Sequence, residues 1–134
     1  MNRKTARENA FILLFEGASK HDETAEEIFE KAVNFRALEC DDYVKRVFFG
    51  VYENQKLIDE SIEKCSVGWK KNRISIVSIA ILRLAVFELM FIDEIPAKVS
   101  INEAIELTKK YEDEKAYAFV NGVLNAASEL FSKK

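Results

Sequence analysis

Few residues in this 134-residue chain could do covalent chemistry, and they are badly spaced for it. His21 is the only histidine, set in a polar segment, and no pattern links it to Cys40 or Cys65 as a nucleophile pair. The residues read as a surface histidine and two buried thiols kept reduced. Acidic pairs such as Glu26-Glu27 and Asp41-Asp42 fall at helix starts, where carboxylates satisfy free amides and the helix dipole. The sequence contains no Walker loop, dinucleotide fingerprint, HExxH or Cys-rich metal spacing. An enzyme, a cofactor and a metal are therefore not expected.

Non-covalent chemistry has better candidates. Arg3, Lys4 and Arg7 fall within about a 100° sector of a helix, so they share one small basic face. They could simply be a solvated amino-terminal end. Cations there oppose the helix dipole, however, and that mismatch hints at an external anion such as an RNA phosphate. Phe119 is the second candidate, because single-stranded RNA is often held by bases stacked on an aromatic ring. Helical periodicity makes the same residue part of a core, and Tyr111 and Tyr117 are ambiguous in the same way.

The elements that would position these residues are helices. Hydrophobic residues make up 49% and charged residues 32% of a chain with only four glycines and one proline, which favours an all-α domain. The first helix is expected over about 4–17. Thr24-Ala-Glu-Glu27 forms a capping box that opens a second, and Asp41 or Asp42 caps a long third helix carrying Val44, Phe48, Val51, Ile58 and Ile62. Val67-Gly68-Trp69 interrupts that pattern and marks a seam between residues 1–66 and 67–134. An almost wholly apolar helix follows and stops before Pro96. Arg83 and Glu88 would each be costly in lipid, so a helix buried by its neighbours is expected rather than a membrane span. Ser100-Ile-Asn-Glu103 reads as a second capping box, and a last helix covers about 115–131.

The net charge of −3 makes the whole molecule no magnet for nucleic acid. Its distribution is uneven: residues 1–20 carry four bases and two acids, residues 21–64 six bases and twelve acids. No secretory leader pattern opens the chain, and a cytoplasmic location is expected.

The stretches Ala80-Ile-Leu-Arg-Leu-Ala-Val-Phe-Glu-Leu89, Ile95-Pro-Ala-Lys-Val99, Ile101-Asn-Glu-Ala-Ile-Glu-Leu107 and Phe119-Val-Asn-Gly-Val-Leu124 together resemble the NusB family of transcription antitermination factors. The similarity is dense from Trp69 to Leu124 and thinner before it, resting there on Arg3-Lys-Thr-Ala-Arg-Glu8. The resemblance implies an all-helical domain of about seven helices in two small packed bundles. It also implies binding to boxA RNA of ribosomal RNA leaders together with NusE, a small-subunit ribosomal protein, and access to RNA polymerase through other Nus factors. On that pattern Arg3, Lys4 and Arg7 match the RNA-gripping basic motif. Phe119 matches an RNA-proximal aromatic, and Lys115 lies in its approach loop. Phe15, Ser75 and Ser78 match the NusE surface. Two other readings compete: a protein-binding helical module or homodimer that covers its own RNA face, and an accessory domain of an RNA methyltransferase.

Overall fold

The computed structural model describes residues 1–20, 22–68 and 74–133. Among them are seven α-helices and no strand: α1 (Arg3–Ser19), α2 (Ala25–Glu30), α3 (Asp42–Glu53), α4 (Gln55–Cys65), α5 (Ile76–Phe91), α6 (Ala97–Tyr111) and α7 (Glu114–Leu130). A π-helical turn, Lys31–Phe35, continues α2. His21 and Trp69, singled out in the sequence, lie outside the described residues.

The apolar sequence of α5 makes it the centre of the molecule. Its buried residues, from Ser78 and Ala80 to Glu88 and Leu89, cover every face. They pack against α1, α3, α4, α6 and α7. A helix apolar all round has no other stable place in water. Among the described residues no helix is long and apolar enough to cross a membrane. Arg83 reaches the margin of this core, where its Nε and Nη2 donate to the two carboxylate oxygens of Asp59 on α4 at 2.9 and 3.0 Å.

Local chemistry sets most of the helix ends. Asn2 caps α1 by accepting from the Thr5 amide, the Thr24–Glu27 capping box is fully formed, and Asp41 caps α3 through the Val44 amide. Two expected helix boundaries need correction. The long third helix is two helices, interrupted at Asn54, whose backbone leaves the helical region (φ −117°, ψ 18°) and whose side-chain nitrogen donates to the Gly50 carbonyl at 2.8 Å. Such local bonds compete with continued α-helix. The Ser100–Glu103 capping box does not exist. Pro96 already stands at the N-cap of α6, where its missing N–H costs nothing, and Ser100 lies inside the first turns. The thiols of Cys40 and Cys65 are half-buried rather than buried, and partial burial pushes both thiols up from their ordinary value.

Close packing at two glycines seats the central helices. Gly50 on α3 lies against the Phe87 ring of α5, and a Cβ there would stand within 2.5 Å of the ring's Cζ. Gly17 on α1 likewise makes room for the Tyr52 hydroxyl.

Candidate functional site

At the centre of the structure lies a carboxylate that composition alone would place on the surface. Glu88 on α5 is 0% exposed. An isolated buried carboxylate would cost far more than a folded domain can spare, so every oxygen needs partners. Three helices supply them. Arg7 of α1 donates from Nε to Oε2 at 2.8 Å and from Nη2 to Oε1 at 3.4 Å. Tyr43 of α3 donates its hydroxyl to Oε2. Ser100 of α6 donates to Oε1 at 2.7 Å. Lys133, beyond α7, donates to the Glu88 and Ile92 carbonyls at 3.1 and 2.6 Å, closing the end of α5.

The network explains the corrected capping box. Ser100 and Glu103 are one turn apart on the same face of α6, the spacing a box also requires. Here that face meets α1: Ser100 serves Glu88, and Glu103 accepts from Arg7 Nη1 at 3.3 Å and faces Lys4 Nζ at 3.7 Å. Burial alone would lower the Arg7 pKa. The hydrogen bond and charge of Glu88 outweigh it, so the guanidinium is held above its ordinary value. Burial, then the Glu88 charge, pushes the Tyr43 phenol far up, which keeps it a donor.

The basic face of α1 is therefore not one surface. Lys4 is 72% exposed, whereas Arg7 is only 4% exposed and committed to Glu88 and Glu103. Arg3 is exposed, its guanidinium carbon 4.2 Å from the centre of the Tyr43 ring. Cation–π stacking of this kind holds the side chain without spending its N–H groups on a carboxylate. The first turn of α1 contains no acid.

Beside this end, α1 and α6 border a groove of about 320 Å³ lined by Lys4, Glu8, Glu106, Lys109 and Lys110 among others. Glu8 accepts there from Lys110 and Tyr111, each at 2.6 Å, and these bonds hold its carboxyl below the usual carboxylate range.

The remaining predicted residues separate into exposed and buried. Lys115 is exposed in the first turn of α7 rather than in the loop before it, with its amide on the Asp113 cap. Phe119 is 6% exposed and belongs to the core, as periodicity requires. Its ring is not presented for stacking. Phe15 is exposed, near the aromatic pair Phe11 and Tyr111. Ser75 is exposed at the N-cap of α5 and donates to Glu112. Ser78, one turn into α5, is 2% exposed and offers no surface as it stands. Sequence reasoning missed Glu88 and Tyr43. The available signal was an acid inside an apolar helix, which must find a buried partner.

Fold and geometry define a class: an all-helical domain clamped at its centre by a buried acid and ending in exposed cations. The chain belongs to the NusB family of transcription antitermination proteins, whose family model matches residues 4–129. It is 48% identical to the transcription antitermination protein NusB of Clostridium botulinum over 129 residues, covering 93% of this chain and 96% of that one. NusB of T. maritima superposes with a TM-score of 0.83 at 35% identity, over 96% of this chain and 92% of that one. A crystal structure of the antitermination factors NusB and NusE in complex with double-stranded RNA gives 0.82 at 33% identity, covering 96% of each chain.

Proposed function

We propose that this chain is an RNA-binding antitermination factor that takes boxA RNA of ribosomal RNA leaders together with NusE. It then acts on the RNA polymerase elongation complex through other Nus factors, in the cytoplasm. The observation that carries the reading is the amino-terminal turn of α1, where Arg3 and Lys4 stand exposed beside a positive helix end that has no acid of its own. Phosphate is the anion such an end favours. Membership of the family, and the complex of a 33% identical relative with NusE and RNA, support the same reading.

Arg3, Lys4 and Lys115 are the proposed phosphate contacts. Phe15 and Ser75 are the proposed NusE contacts, with Ser78 supporting the Ser75 edge from beneath. Residues 1–66 and 67–134 are two subdomains on this reading, packed together through α5 of the second; the first brings Arg3 and Lys4 to the RNA and the second Lys115. The role is one of binding, not catalysis.

Fluorescence anisotropy with boxA RNA and a scrambled control, each with and without NusE, tests the proposal. Preference for boxA that strengthens with NusE is expected. Equal binding of both RNAs under both conditions would refute it and leave a protein-binding module; light scattering would then reveal a homodimer if that is the state.

A further inference from the structure

Resting on that RNA-binding reading, we infer that Arg7 is a positioning residue. Through Glu88 it holds the amino-terminal turn of α1 in place for RNA and touches no phosphate itself. Its guanidinium is spent on both sides, on Glu88 through Nε and Nη2 and on Glu103 through Nη1. Swinging out to a phosphate would leave a carboxylate that is 0% exposed without its cation. Buried charges do not tolerate that loss.

The exposed cations are tied to the same cluster by separate routes. Arg3 lies on the ring of Tyr43, whose hydroxyl bonds Glu88. Lys4 faces Glu103, which also accepts from Arg7. Arg7 itself sits one turn beyond Arg3 and Lys4 and pins that part of α1 to α5 and α6. A disturbance at Glu88 therefore reaches both α1 cations, Arg3 and Lys4, without removing either charge. The sequence groups Arg3, Lys4 and Arg7 as equals. The structure divides them into two that face solvent and one that orders them.

The number of phosphates neutralised is read from the salt dependence of binding, about 0.7 in the slope of log K against log salt for each contact on a single strand. The experiment is an anisotropy titration of boxA RNA, in the presence of NusE, at several salt concentrations. It compares the wild type with Arg7→Gln/Glu88→Gln, Tyr43→Phe, Ser100→Ala and Arg3→Ala/Lys4→Ala. The double glutamine variant removes both charges of the buried pair, keeping the shape of Glu88 and shortening the Arg7 side chain, and an amide spectrum checks its fold.

It should bind roughly 2- to 30-fold more weakly, the range for residues that act on a site without touching its ligand. Its salt slope should equal that of the wild type. Arg3→Ala/Lys4→Ala should lose about 0.7 of slope per cation. A slope lowered by about 0.7 in the double glutamine variant overturns the inference, because Arg7 then meets a phosphate. Wild-type affinity in that variant also overturns it. If the variant does not fold, Tyr43→Phe and Ser100→Ala each remove one donor to Glu88. Weaker binding at unchanged slope then supports the inference, and unchanged affinity in both overturns it. Absence of RNA binding by the wild type would sink the functional reading itself, a result distinct from all of these.

Discussion

Replacing Arg7 by Met removes the cation from a pair whose side chains are 4% and 0% exposed while keeping most of the buried volume. Glu88 keeps Tyr43 and Ser100 as hydrogen-bond donors but loses its only ion-pair partner among the described residues. Breaking one side of a buried pair costs about 3–5 kcal/mol, a large share of the roughly 5–15 kcal/mol that holds a domain folded. With a urea slope of about 2 kcal/mol/M, the unfolding midpoint should fall by about 2 M. The second half of the test adds Glu88→Leu. That removes the orphaned charge but strands the Tyr43 and Ser100 hydroxyls, each worth about 1–3 kcal/mol when buried without an acceptor. Recovery should therefore be partial in Arg7→Met/Glu88→Leu and should improve further when Tyr43→Phe and Ser100→Ala are added. Urea denaturation followed by circular dichroism reads all four proteins. If Arg7→Met alone costs less than about 1 kcal/mol, the pair behaves like a surface ion pair and the buried-clamp argument is wrong.

Two further outcomes follow from the geometry. Gly50→Ala should destabilise the protein by about 1–3 kcal/mol, measured by the same denaturation, because the added carbon meets the buried Phe87 ring and α3 must shift on α5. Glu8 has a carboxyl lowered by Lys110 and then Tyr111, so its contribution is present above the ordinary carboxylate value of 4.5 and is lost as pH falls through its lower folded value. Wild type and Glu8→Gln should accordingly differ in stability near neutral pH and converge in acid; a constant gap across that range would refute the assignment.

The limits of reading this fold from sequence were set by long-range pairing, not by helix propensity. Apolar periodicity, caps and the single proline are local signals, and they place α1, α2, α5 and α7 closely. Asn54 defeated the same logic because its side-chain bond to Gly50 breaks a helix whose apolar pattern runs on unbroken. Ser100 and Glu103 defeated it more instructively. An i, i+3 pair of hydroxyl and carboxylate is the same string whether it caps its own helix or reaches across to another. Only the arrival of α1 on that face, with Arg7 between the two acids, decides which.

The same ambiguity governs the basic motif. Periodicity groups Arg3, Lys4 and Arg7, but it carries no knowledge of Glu88, which lies 81 residues from Arg7 in the chain. Charge on a helix face becomes available to a ligand only after the fold has taken what it needs for its own buried groups. Here the fold takes Arg7 completely, and Tyr43 holds Arg3 through its ring face rather than through an acid. The consequence for the proposed RNA grip is specific. Its electrostatic strength rests on two cations of α1 and on Lys115, not on three of α1. A partner that adds contacts of its own is therefore what the reading requires, and this is why the titration must be run both with and without NusE.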